Sequence, residues 1–128
     1  MTLDFEKLTA VFAADDRIVL AVLFGSSQYG NVRAGGDVDI GVLFAKPFAP
    51  EEFFQFYLEL SGKLPEIAEL DLTDLGQAGS ILAFEALRGR ILFVRNRETA
   101  AAFASRVARE YEDDRLHAAR RKVESRNA

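Results

Sequence analysis

Two short apolar runs, and the residues set between them, constrain this chain most. Ile18-Val19-Leu20-Ala21-Val22-Leu23-Phe24 passes directly into Gly25-Ser26, and Ile40-Gly41-Val42-Leu43-Phe44 directly follows Asp37-Val38-Asp39. Runs of this length, rich in branched and aromatic residues, predict buried strands. Small residues therefore end one strand, and two carboxylates begin the next. Residues i and i+2 of a strand point to the same face, so Asp37 and Asp39 should project together while Val38 and Ile40 turn the other way. Like charges held this close raise each other's pKa unless a cation lies between them. Aspartate oxygens are natural ligands of Mg²⁺, which completes its shell with water and substrate phosphates. The pattern thus points to a metal–triphosphate site.

The flanking sequence supplies the rest of an α/β fold. Apolar residues at 5, 8, 11 and 12 predict a helix from Asp4 to Ala14, and the first strand covers 17–24. Gly25-Ser26 opens a short helix or tight loop to about Val32, and Arg33-Ala34-Gly35-Gly36 reads as a flexible turn before the strand at 37–45. Pro50-Glu51-Glu52 has the proline and acids of a helix start, and that helix should run to Lys63. Residues 67–73 alternate, with Ala68, Leu70 and Leu72 on one face and Ile67, Glu69, Asp71 and Thr73 on the other. A short helix at 79–88, a strand at Ile91-Leu92-Phe93-Val94 and a helical segment from 97 to about 126 complete the chain. That last segment is either one helix or two with a break near Asp113-Asp114. The expected architecture is a mixed β-sheet flanked by helices, in one domain spanning residues 1–128. The final helix should pack through Phe103, Val107 and Tyr111.

Asp71 is the third element of the site. Its strand should pair beside the second, which would bring three carboxylates onto one face; such a set can hold two Mg²⁺ ions roughly 3.5–4 Å apart for in-line phosphoryl chemistry. Glu66, Glu69 and Asp74 are rival acids, with Asp74 on the opposite parity. Gly25 lets a phosphate approach the main chain, where free N–H groups bind anions, and Ser26 adds a hydroxyl donor. Tyr29 and Arg33, in the spacer, are within reach of a base or phosphate. His117, the only histidine, lies on a polar helix and reads as solvated.

Charge and composition narrow the setting. Residues 1–96 hold 8 Lys/Arg against 14 Asp/Glu, whereas residues 97–128 hold 8 against 6. An acidic body argues against non-specific duplex binding, which depends on neutralising phosphates. The basic end, from Arg115 onward, faces either a partner or solvent. No apolar run approaches the ~20 residues needed to span a bilayer. The amino terminus lacks the features of a signal peptide, and with no cysteine there is neither disulfide nor thiolate metal site. A bacterial or archaeal cytoplasm is the expected location.

Gly-Ser, ten residues, Asp-x-Asp and a third Asp on a later strand resemble the signature of the DNA polymerase β-like nucleotidyltransferase superfamily. The short length, Leu23-Phe24-Gly25-Ser26, and Leu70-Asp71-Leu72-Thr73-Asp74-Leu75 ahead of Gly89-Arg90-Ile91-Leu92-Phe93 resemble its minimal branch, the MNT-domain antitoxins of HEPN/MNT toxin–antitoxin pairs. The resemblance covers roughly residues 17–95. It implies that Gly25 and Ser26 hold nucleotide phosphates and that Asp37 and Asp39 bind two Mg²⁺ ions. Asp71 would complete the acceptor-side metal site and help deprotonate the acceptor. It further implies transfer of AMP from ATP to a hydroxyl, namely a tyrosine of a cognate HEPN toxin, with which the chain forms a complex. Two positions depart from the pattern: Tyr29 stands where an Arg is common, and Gly36 where a Ser commonly precedes the first Asp. They leave open a second reading, a catalytically weak module that neutralises the HEPN partner by contact alone. Acceptor, base preference and self-association are not fixed by the sequence.

Overall fold

A computed structural model describes residues 1–127. Four strands form one sheet in the order β3-β2-β1-β4. They are β1 (Ile18–Phe24), β2 (Val38–Phe44), β3 (Leu70–Asp74) and β4 (Arg90–Val94), interleaved with helices α1 (Phe5–Ala13), α2 (Pro50–Lys63), α3 (Ser80–Leu87) and α4 (Arg97–Asn127). β1 pairs antiparallel with both β2 and β4, and β2 pairs parallel with β3. The expected mixed sheet flanked by helices is what forms. No helix among the described residues is long and apolar enough to cross a membrane.

Each face of the sheet buries its own layer. Ile18, Ala21, Leu23, Val38, Ile40, Val42 and Leu92 pack with Leu8 and Phe12 of α1 and Phe56 and Leu60 of α2. Val19, Leu20, Val22 and Leu43 pack with Ala83 and Ala86 of α3 and Phe103 and Val107 of α4. The alternation of strand side chains dictates this division: Val38 and Ile40 are fully buried on the first side. Asp39, of opposite parity, is thereby turned toward the side of α3.

Local chemistry sets the helix ends. The Lys7 backbone N–H donates to Asp4 Oδ1 at 3.1 Å, which caps α1. Pro50 opens α2 at a position where its missing N–H is not needed, and Glu52 Oε1 accepts from the Ala49 N–H at 3.1 Å. α4 is one helix, not two. Asp114 stands on the same side as Phe103, Val107 and Tyr111 and bonds the Ser80 hydroxyl of α3, while Tyr111 stacks on Phe84 at 4.0 Å between ring centroids. The third strand begins at Leu70, later than the alternation implied. Residues 65–69 turn instead of extending, so Ile67 drops into the α1/α2 core although its parity placed it with the acids.

Candidate active site

The parallel pairing of β2 with β3 puts Asp39 directly beside Asp71. Register partners in neighbouring strands share a face, so the two side chains meet on the α3 side of the sheet. Asp39 is half-buried, and its carboxyl is pushed up to about 6. Burial is the largest cause; a hydrogen bond with the Asp71 carboxyl, the Asp71 charge and the Asp37 charge follow. Asp37 is exposed, just ahead of β2. The structure therefore gathers Asp39 and Asp71 into a pair and sets Asp37 at its margin, near enough for its charge to be felt. Among the described residues no three His, Cys, Asp or Glu side chains form a ready cation cage. Two oxygen-donor groups crowded together, one reluctant to ionise, nevertheless suit a hard divalent cation, whose charge relieves their repulsion and which fills its shell with water and phosphate.

Gly25 lies against this pair. Phe24 is opposite Asp39 in the β1–β2 register, and the chain then enters a single 3₁₀ turn, Gly25–Ser27. Gly25 has φ 70°, and a Cβ on it would overlap Asp39 Oδ2. Glycine is required twice over, by its left-handed backbone and by contact with the carboxylate. Ser26 is exposed, whereas the Ser27 hydroxyl is buried without a hydrogen-bond partner. Gly89, at the α3–β4 turn, presses on the end of β1: a Cβ there would meet the Leu23 carbonyl and the Phe24 side chain. The backbone that carries Gly25 is thus held from behind.

A cleft of about 490 Å³ opens over the pair, lined by Phe24, Gly25, Gln28, Asp39, Asp71, Thr73, Leu82 and Glu85. Beside it, a hollow of about 240 Å³ lies between Gly25, Gln28, Tyr29, Glu85 and Arg88. Tyr29 is 82% exposed on this rim, so the aromatic ring at that position is free to meet a ligand. Gln28, Thr73, Leu82, Glu85 and Arg88 were not singled out from the sequence. α3 carries Leu82 and Glu85, with Arg88 as its C-terminal cap, and no motif marks that short helix. The rivals fall away: Glu66 pairs with Lys7 at 2.9 Å, and Glu69 is exposed ahead of β3. Asp74 ends β3 beyond Thr73 and accepts from the Gly76 N–H at 3.1 Å. Arg33 is exposed and outside both hollows. His117 is exposed on α4, its Nδ1 2.8 Å from the Asp113 carbonyl.

Comparison with known proteins places this geometry. No curated protein matches the chain. Among solved structures, a chain of a toxin–antitoxin crystallised with AMP-PNP superposes with a TM-score of 0.74 at 24% identity, covering 96% of this chain and 97% of that one. A chain from a tri-AMPylated Shewanella oneidensis HEPN toxin in complex with MNT antitoxin gives 0.67 at 23% identity, covering 94% and 92%. At these identities the likeness establishes a common fold. A family model described as polymerase beta, nucleotidyltransferase matches residues 6–98, and the chain belongs to that nucleotidyltransferase family.

Proposed function

We propose that this chain is a Mg²⁺-dependent nucleotidyltransferase that moves AMP from ATP to a tyrosine hydroxyl of a HEPN-domain partner and thereby acts as its antitoxin. The observation that carries the proposal is the Asp39–Asp71 pair, fixed by strand register against Gly25. Gly25 and Ser26 would receive the phosphates, the glycine because nothing projects from it and the serine through its hydroxyl. Asp37, Asp39 and Asp71 would hold Mg²⁺, which supplies positive charge to the triphosphate and makes the acceptor hydroxyl more acidic. The acceptor oxygen bonds to the α-phosphorus, the bond from that phosphorus to the departing pyrophosphate breaks, and the hydroxyl proton passes to the Asp71 carboxylate. The family assignment and the likeness to chains solved with AMP-PNP and with an AMPylated HEPN toxin support this substrate pair.

The test is label transfer. The chain, α-labelled ATP and Mg²⁺ are incubated with the HEPN-domain protein encoded beside it, and the modified residue is identified by mass spectrometry. A labelled tyrosine is expected, with Asp39→Asn and Asp71→Asn each reducing the rate by about 100-fold or more. The departure at Tyr29 favours the second reading, neutralisation by contact. That reading prevails if the Asp39→Asn variant transfers no label yet silences the partner as fully as the unaltered chain.

A further inference from the structure

The cleft has two neighbours of unlike chemistry. On the Gly25 side lies the hollow that contains Arg88. On the other lies a shallow hollow of about 440 Å³ formed by Gly79, Ser80, Ile81, Leu82, Glu85 and Asp114. Leu82 and Glu85 line both this hollow and the cleft, so the two are continuous. Ile81 is 64% exposed and Leu82 40%, an apolar pair left uncovered on a helix whose other face is buried. Asp114 closes the far side and is held there by the Ser80 hydroxyl. No cation lines this hollow, and its two charged residues are both acids.

Charge divides the cleft between two ligands. A triphosphate is drawn toward Arg88 and repelled by Asp114, while Glu85 lines the cleft and both hollows and is common to the two sides. The apolar, acidic side is the wrong place for it and suits a polypeptide. We infer that the α3–α4 hollow is the acceptor subsite: it takes a segment of the acceptor protein that lays an apolar side chain on Ile81 and Leu82 and a basic one against Asp114 and Glu85. The acceptor hydroxyl then enters the cleft past Leu82, on the side of Asp71. The inference rests on the proposed transfer to a protein hydroxyl and gives that acceptor a chemical character.

Ile81→Asp and Asp114→Arg are the informative variants, because both positions are exposed and neither change disturbs the core. Label transfer to the partner is measured over a range of partner concentrations, and binding of a fluorescent ATP analogue is measured separately. Each variant should raise the KM for the partner about tenfold or more, the usual effect of losing one apolar or charged contact, while nucleotide affinity stays unchanged. Leu116→Asp, on the far side of α4, should alter neither. Unchanged labelling by both hollow variants, beside an active unaltered chain, overturns the subsite and leaves the transfer reaction standing. Labelling by neither the variants nor the unaltered chain overturns the reaction and the subsite together. If Ile81→Asp abolishes self-association and spares labelling, the hollow belongs to a second copy and the inference fails.

Discussion

The two faces of the sheet are built from different materials. On the α1/α2 face the core is aromatic. Phe12 is fully buried, Phe44 stacks on Phe48 at 3.9 Å and meets Phe56 edge-on at 5.0 Å. Arg17 lies over Phe48 and Phe56 and is paired with Asp15 at 2.7 Å, a contact that holds the Asp15 carboxyl below its usual range. On the α3/α4 face small residues, Ala83, Ala86, Val22 and Val107, share the layer with Leu20, Leu43, Leu75 and Phe103. A Cβ on Gly41 would come within 2.8 Å of Leu75, so this layer packs close to the backbone. Small residues let α3 lie low over the sheet, and its outer residues Leu82 and Glu85 then wall the cleft. One face supplies cohesion and the other supplies a place for chemistry.

Mutations should separate the two. The largest effect on stability is expected from Phe12→Ala, about 3–5 kcal/mol by loss of a buried ring and the cavity left behind. Urea unfolding measures it. The fraction that remains folded should bind nucleotide with unchanged affinity; a parallel loss of affinity would show that the faces are coupled. Gly25→Ala is next. Its left-handed backbone adds about 1–2 kcal/mol of strain, and its methyl group displaces the Asp39 carboxylate, so nucleotide affinity and transfer should fall far more than stability.

Asp39→Asn is the smallest and the sharpest. The folded state raises the Asp39 carboxyl to about 6 from its ordinary 3.8, so the folded chain holds that proton more tightly than the unfolded one. Stability from this group is therefore full at low pH, declines as pH rises between the two values, and stays low above about 6. The asparagine variant lacks this decline. Its advantage in unfolding experiments should grow across that window and then level off, by under about 1 kcal/mol since the group is partly solvated. Mg²⁺ should stabilise the unaltered chain near neutral pH, lose its effect below about pH 6 and leave the variant unmoved.

Much of this was readable from residue order. The four strands and four helices are legible within a few positions, because strand and helix periods differ and Asp4, Pro50 and the glycines mark the joins. Asp39 and Asp71 were legible as partners because their strands are apolar and acids there demand a reason. Strand parity and the Asp-x-Asp signature both set Asp37 beside them. In the structure it lies ahead of the pairing and exposed, since parity fixes direction but not depth. α4 runs on through Asp113-Asp114, where Asp114 meets Ser80 of α3 across a sequence gap that no local window spans. Glu85 and Leu82 escaped notice for the same reason: their place over the cleft is set by how closely the end of α3 approaches the sheet at Gly89.

The parallel seam between β2 and β3 has a kinetic consequence. Its strands are joined through α2, so Asp39 and Asp71 meet only after a long loop has closed, whereas the β1–β2 ribbon closes over a shorter distance. A growing chain that has left the ribosome only through α2 owns Gly25 and Asp39 but not their counterpart. Assembly of the carboxylate pair should therefore wait on that closure, and translation past β3 sets the earliest moment at which the pair can form.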